Sequence, residues 1–166
     1  MNNKESKKVL LLVQAAMIAA LYVVLTFIAN ALGLANQAIQ VRFSEALTIL
    51  PYFTPAAIPG LFIGCLLSNI LTGCAVPDII FGSLATLVAA VLTRKLRKNK
   101  WTAPIPPIVS NAVVVPFVLL YAYGVGPLWL SFITVTIGEI ISCGILGMLL
   151  LFALQKYAGR IFAEQN

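Results

Sequence analysis

The sequence is poor in charged residues: they make up 10% of its 166 positions, against about 25% in an ordinary soluble domain. Apolar residues account for 61%, and the mean hydropathy is +1.01. The few charges lie mostly at the two termini and in one loop, so they cannot cover the surface of a water-soluble fold. This shortage excludes an ordinary soluble protein and predicts an integral membrane protein.

Histidine is absent altogether, which removes the usual general base, proton shuttle and metal ligand. No C-x-x-C spacing occurs, so the three cysteines are interpreted as small packing residues: Cys65, Cys74 and Cys143. No G-x-x-x-x-G-K-[ST] loop is present, so this chain is not expected to hydrolyse a nucleotide itself. These absences predict a non-catalytic protein without a metal or cofactor and disfavour a membrane-embedded enzyme.

Long apolar runs divide the chain into candidate membrane spans of about 20 residues each. The first run follows three lysines, as in a signal peptide, but it exceeds the about 7–15 apolar residues of such a peptide and is interpreted as a retained helix. No linker or repeat splits the chain, so residues 1–166 form one transmembrane domain. Six spans are predicted, over 9–32, 38–53, 56–73, 78–94, 104–124 and 128–155.

The second span is short, because its apolar part, Phe43–Phe53, rises only about 16 Å in a hydrocarbon core of about 30 Å. The distribution of basic residues favours counting this segment as a span. With six spans, ten of the eleven basic residues lie on the cytoplasmic side and only Arg42 lies outside. Omitting the span would place eight outside and three inside. The positive-inside rule therefore predicts an all-α bundle of six transmembrane helices in the cell membrane, with both termini cytoplasmic. The net charge of +6 is thus attributed to orientation and not to nucleic-acid binding.

Polar residues inside the predicted spans are the candidate binding residues, because a charge in hydrocarbon is costly unless it faces the bundle interior, a partner or water. In the six-span topology they all occupy the middle or outer half of the membrane, which predicts a cavity open to the outside. They are Arg42, Glu45, Asn69, Asp78, Asn111 and Glu139.

Structural roles compete with ligand binding for most of this set. Arg42 and Glu45 are three residues apart and can neutralise one another. Asp78 stands at a helix start, where a carboxylate caps free amides, and the two asparagines can join helices by hydrogen bonds. Glu139 has no such alternative, because it lies about 16 Å into its span without a basic residue within seven positions. It is the strongest candidate.

Three aromatic residues, Tyr121, Tyr123 and Trp129, flank the predicted cavity. They suit either the interfacial aromatic belt or stacking on a flat ligand, and Tyr121 and Trp129 are kept as candidate contacts. Carboxylates, amides and aromatic faces together suit a planar, hydrogen-bonding solute, including a cationic one. A guanine-like ring offers two adjacent N–H donors that one carboxylate can accept.

Small residues form a separate pattern on the first helix. Ala15, Ala16, Ala19 and Ala20 occupy two adjoining i, i+4 rows, where another helix can approach closely. Gly60 and Gly64 form a similar pattern in the third span. Packing within the chain and docking of a partner helix both remain open.

Four segments resemble one known family. They are Gln40–Thr48 with R-x-S-E-A-L, Pro77–Thr86 with P-D-x-x-x-G-S-L-A-T, Pro106–Ala112, and Gly138-Glu139. In this order and at this chain length they resemble the QueT family. Its members are queuosine-precursor transporters, the substrate-binding S components of energy-coupling-factor (ECF) importers.

The resemblance implies a six-helix membrane subunit that binds a scarce solute from outside. It docks on a transmembrane T component carrying two cytoplasmic ATPases and topples to release the solute inward. The family's small-residue motif carries over onto the four alanines as the T-component contact, and the implied solutes are 7-deazaguanines: the 7-aminomethyl and 7-cyano precursors, or queuine. Two alternatives remain open, an S component for another heteroaromatic vitamin and a structural membrane subunit of a larger complex.

Overall fold

The computed structural model describes residues 3–34 and 40–162. All regular structure in those two stretches is helical, which confirms the predicted all-α class. The α-helices are α1 (Asn3–Ala31), α2 (Ala57–Leu71), α3 (Ser83–Lys95), α4 (Ile105–Tyr123), α5 (Leu128–Glu139), α6 (Gly147–Gln155) and α7 (Ala158–Ile161). The other helical segments are two 3₁₀ helices, Phe43–Tyr52 and Lys100–Thr102, and two π-helices, Asp78–Gly82 and Ile140–Leu146.

Three helices are long and apolar enough to cross a membrane: Lys4–Ala31, Lys100–Tyr123 and Leu128–Gln155. They coincide with the predicted first, fifth and sixth spans, and the last of them runs through α5, a π-helix and α6. A shorter apolar helix, Ala57–Leu71, falls within the predicted third span. A helical membrane protein is therefore confirmed, whereas the number of six spans stays a prediction.

The predicted second span has an unexpected conformation. Residues 38 and 39 lie outside the described residues, and ten of the other residues form the 3₁₀ helix Phe43–Tyr52, called the 3₁₀ segment below. Because a 3₁₀ helix rises about 2.0 Å per residue, ten residues reach about 20 Å, against about 15 Å as an α-helix. The conformation lengthens a segment that is short for a span.

The 3₁₀ segment lies at the centre of the fold, where it contacts α1, α2, α3, α6 and the π-helix Ile140–Leu146. Ile49 and Leu50 pack in the main apolar core with Leu61 and Leu151. The other side of the segment buries polar groups, among them Ser44 and the carboxylate of Glu45. A polar element therefore runs through the interior, and the candidate binding residues are arranged around it.

Helices α1 and α2 pack closely through small residues. A Cβ atom on Gly60 would lie 2.7 Å from the carbonyl oxygen of Ala15, and one on Gly64 would lie 3.1 Å from the Cα of Ala19. Ala15 and Ala19 are accordingly only 8% exposed. These two alanines thus pack within the chain, and in this conformation they have no surface left for a partner. Ala16 and Ala20 are exposed, and their contact with a partner stays a prediction.

Candidate binding site

A cavity of about 500 Å³ lies between α1, the 3₁₀ segment, α2 and the C-terminal end of α4. Ligand cavities for small molecules measure about 300–1,000 Å³, so its volume suits a small solute. Its lining combines charged, amide and hydroxyl groups with a few apolar side chains. The polar residues used below are Gln40, Arg42, Asn69, Asp78 and Tyr123.

Asp78 is held on one side of this cavity by Tyr123. The Tyr123 hydroxyl donates to Oδ2 of Asp78 at 3.1 Å and accepts from the backbone N–H of Ala75 at 2.9 Å. Gly82 leaves room for the carboxylate, since a Cβ there would lie 3.0 Å from Oδ1. Asp78 is buried, with 5% of its surface exposed. Its carboxylate accepts a hydrogen bond from Tyr123 and does not cap the helix that it begins, so the alternative of a purely capping role is not observed.

Asn69 lies next to Asp78 in the cavity wall. Its amide Nδ2 donates to the backbone carbonyl of Asp78 at 3.4 Å, a long hydrogen bond, and the residue is buried. This contact joins α2 to the π-helix Asp78–Gly82, which fits the predicted role in joining helices. Because Asn69 also lines the cavity, the same amide is placed to meet a solute.

Arg42 carries the basic group of the cavity. Its backbone N–H donates to the Ser142 hydroxyl at 3.1 Å, which ties the start of the 3₁₀ segment to the π-helix Ile140–Leu146. Its Nη2 makes a weak 3.5 Å contact with the Gln40 side chain. No hydrogen bond from the guanidinium to a carboxylate is found among the described residues, so the predicted mutual neutralisation with Glu45 is not a direct pair. The guanidinium is therefore placed to pair with an acceptor on a solute.

Glu45, Asn111 and Glu139 lie close together beside Arg42, along with Cys143, and these four residues are called the acid layer below. The Asn111 amide donates to Oε1 of Glu139 at 3.0 Å, and the Cys143 thiol donates to Oε2 at 3.1 Å. Glu139 borders a second pocket of about 10 Å³, which it shares with Gln40 and Arg42. Neither Glu139 nor Asn111 lines the larger cavity.

The predicted site residues therefore fall into three groups. Arg42, Asn69 and Asp78 line the cavity, while Glu45, Asn111 and Glu139 form the acid layer beside it. Tyr121 and Trp129 are 81% and 63% exposed and do not line the cavity, as expected of residues in an interfacial belt.

The structure adds three cavity or layer residues that the sequence reasoning did not select. Tyr123 faces the cavity although Tyr121 does not, and Tyr22 donates to Glu45 from the face of α1 that also brings Thr26 and Asn30 to the cavity. Cys143 follows Glu139 by four residues, so helical periodicity was a signal that could have joined the two. Tyr22, Thr26 and Asn30 are spaced four residues apart on α1, so the same periodicity was a signal for Tyr22.

Gly138 fixes how the chain passes over α5 just before the 3₁₀ segment. A Cβ at this position would overlap the carbonyl oxygen of Gln40, a cavity residue, whereas a Cβ on Gly144 would find its nearest neighbour at 3.7 Å.

We expect Gly138→Ala to cost about 1–3 kcal/mol of stability by overpacking and to weaken solute binding by shifting Gln40. Gly144→Ala is the matched control and should be neutral or slightly stabilising, because alanine favours a helix by about 1 kcal/mol over glycine. Thermal unfolding of both purified variants measures this, and equal midpoints would contradict the close approach.

The comparisons with known proteins agree on one family. A family model described as "QueT transporter" matches residues 12–156. A curated relative named "Queuosine precursor transporter QueT", from Lactococcus lactis subsp. cremoris (strain MG1363), is 40% identical over 77 residues. That alignment covers 46% of this chain and 45% of the relative. No solved structure is significantly similar to this chain.

Proposed function

Because the chain belongs to the QueT transporter family of membrane transport proteins, we propose that it is the solute-binding S component of an ECF importer for queuosine precursors. The observation that carries this proposal is the cavity of about 500 Å³, lined by buried Asp78 and Asn69 and by Arg42. These groups offer acceptors, donors and both signs of charge to one small solute. A scaffold subunit needs no such cavity.

The chemistry of the cavity suits a 7-deazaguanine. Such a base carries ring N–H and amino donors on one edge and a carbonyl acceptor, which match a carboxylate, an amide and a guanidinium. An aminomethyl group at position 7 adds an ammonium, for which Asp78 is the cavity's carboxylate. The 7-aminomethyl precursor is therefore the compound for which the Asp78 contact matters most, and the 7-cyano precursor and queuine are the related candidates.

Glu139 remains part of this proposal as a second carboxylate for the base. Its own pocket of about 10 Å³ shares Gln40 and Arg42 with the larger cavity, which Glu139 itself does not line. For Glu139 to contact a solute in that cavity, side chains between the two pockets must move. Glu45 and Asn111 belong to the same layer, and Tyr121 and Trp129 would contact solute only from outside the cavity.

The partners that we propose are an ECF T component and two cytoplasmic ATPases, which supply the energy that this chain does not generate. Ala16 and Ala20 are exposed on α1 and separated by one helical turn, so they offer the T component a surface for close helix packing. The remaining apolar surface of α1, including Leu12, Met17 and Val24, is exposed and suits lipid. Nucleic acid is not a proposed partner.

Six membrane spans with both termini cytoplasmic remain the proposed topology. It places Cys74, which lines the cavity, on the outer side and the basic segment Arg94–Lys100 inside. We expect an impermeant thiol reagent applied to intact cells to label a chain that retains only Cys74. A Lys98→Cys variant lacking the native cysteines should label only after the cells are opened. Labelling of the Lys98→Cys variant in intact cells would overturn this topology.

Mass spectrometry of the protein purified from its native host tests the function itself, because a high-affinity solute stays bound through purification. We expect a queuosine precursor in the released small molecules. If a different heteroaromatic vitamin is released instead, the chain is an S component for that vitamin. Absence of any bound or rebinding purine-like compound would favour the structural subunit instead.

A further inference from the structure

Two carboxylates and a thiol converge in the acid layer. Three possible ligand atoms, one from each of Glu45, Glu139 and Cys143, lie within 4.8 Å of one another. All three residues are buried. The Cys143 sulfur is 3.1 Å from Oε2 of Glu139 and 3.4 Å from the backbone carbonyl of Glu45. The cluster joins residues from the 3₁₀ segment, the end of α5 and the π-helix that follows it.

Glu45 supplies a second, independent observation. Its side chain is 2% exposed, and Oε1 accepts from the Tyr22 hydroxyl at 2.5 Å. Its other oxygen, Oε2, is buried and has no hydrogen-bond partner among the described residues. An unpaired carboxylate oxygen in a dry interior is costly, and buried charges in proteins are paired or bind a metal. Oε2 of this carboxylate is thus short of one partner.

The charges of the interior point the same way. Glu45 and Glu139 carry two negative charges when ionised, and Asp78 adds a third nearby, whereas Arg42 is the basic residue that borders both pockets. A net negative charge in a low-dielectric interior is unfavourable. A bound divalent cation next to Glu45 and Glu139 would reduce the excess.

We propose that Glu45, Glu139 and Cys143 bind one divalent transition-metal ion of the zinc or cobalt type. Such an ion is tetrahedral, with ligand distances of about 2.0 Å to oxygen and 2.3 Å to sulfur, so its ligands stand about 3.5 Å apart. The observed sulfur–oxygen separation of 3.1 Å and the upper limit of 4.8 Å for the three atoms bracket that value. The fourth position is left to a water molecule or another exogenous oxygen.

The donor set selects the class of ion. Magnesium and calcium take oxygen ligands only, whereas a thiolate favours zinc and its neighbours. As the ion binds, the Cys143 sulfur loses its proton to solvent and its hydrogen bond to Glu139 is replaced by two metal–ligand bonds. Two carboxylates, one thiolate, the divalent ion and Arg42 then sum to zero.

Asn111 completes the site as an orienting residue. Its amide holds Oε1 of Glu139 at 3.0 Å, so Oε2 faces Cys143. A ligating carboxylate is commonly oriented by such a hydrogen bond. Binding the ion through Oε2 leaves Oε1 to Asn111 or to a solute, so the site is compatible with the proposed transport function and does not depend on it.

Titration of the purified, chelator-treated full chain with Co²⁺ tests the proposal without any solute. We expect one equivalent to bind with a dissociation constant below about 100 µM, with visible bands of a tetrahedral site and a near-ultraviolet band from thiolate to cobalt. Zn²⁺ should displace Co²⁺, whereas Mg²⁺ should not.

The variants separate this site from other thiols. Cys143→Ser should abolish the thiolate band and weaken Co²⁺ binding at least about tenfold, while the matched control Cys65→Ser, another buried cysteine, should leave both unchanged. Glu45→Gln keeps the side-chain shape and should weaken Co²⁺ binding by a similar factor, which serves if Cys143→Ser does not fold. Absence of saturable Co²⁺ binding to the wild type overturns the proposal. Persistence of the thiolate band in Cys143→Ser, or unchanged affinity in Glu45→Gln, also overturns it.

Discussion

Asp78→Asn is expected to weaken binding of the 7-aminomethyl precursor by about 30- to 5,000-fold. That factor corresponds to about 2–5 kcal/mol, the usual cost of removing one partner of a buried, hydrogen-bonded charge pair. The physical reason is that Asp78 is the buried carboxylate lining the cavity, held in place by Tyr123. An asparagine keeps the shape but cannot neutralise an ammonium. Isothermal titration calorimetry on purified wild type and variant measures the change.

The neutral 7-cyano precursor is the internal control for that experiment, because it should lose much less affinity than the aminomethyl compound. Glu139→Gln is the matched carboxylate variant. If Glu139 also meets the base, this variant weakens both compounds, since the base edge is common to them. If Asp78→Asn binds both compounds within about threefold of wild type, a change below 1 kcal/mol, Asp78 does not contact the solute.

Ala20→Trp is expected to reduce uptake in cells to the background level while binding by the purified protein stays within about threefold of wild type. Ala20 and Ala16 are the exposed half of the small-residue surface on α1, so a bulky ring would hold a partner helix away without entering the cavity. Uptake of labelled precursor, measured with the T component and ATPases present, gives the first quantity, and calorimetry gives the second.

Leu21→Trp is the control for this prediction, because Leu21 is equally on α1 and exposed but lies about 100° away from Ala20 around the helix. It should leave both uptake and binding near the wild-type values. Uptake lost equally in both variants would mean that any bulky residue on α1 disturbs the protein. Normal uptake in Ala20→Trp would show that this surface is not the docking site.

The sequence identified the polar residues of the predicted spans as one candidate set, because such residues are costly in hydrocarbon unless they face the interior. The structure joins two of them, Asn69 and Asp78, through a hydrogen bond. The direction of a side chain around its helix was harder to predict. Tyr121 and Tyr123 are two residues apart and so point about 200° apart, and only packing decides that Tyr123 faces the cavity.

Long-range pairing was the other limit of sequence reasoning. The small residues spaced four apart on α1 and at Gly60 and Gly64 could be recognised in the sequence. Only the structure shows that Gly60 packs against Ala15 and Gly64 against Ala19. Likewise, the contact of Glu45 with Tyr22 and with Cys143 depends on where the 3₁₀ segment crosses the bundle. Its 3₁₀ form was not predicted either, because such helices rarely exceed four residues.

Calorimetric titration of the purified wild-type chain with a queuosine precursor, in the absence of any partner, tests the central claim most directly. We expect one site per chain, high affinity for at least one of the 7-aminomethyl compound, the 7-cyano compound and queuine, and no measurable binding of adenine. Binding of none of the three precursors by a folded chain, shown to be intact by its thermal unfolding, would contradict the assignment of this cavity as the solute site.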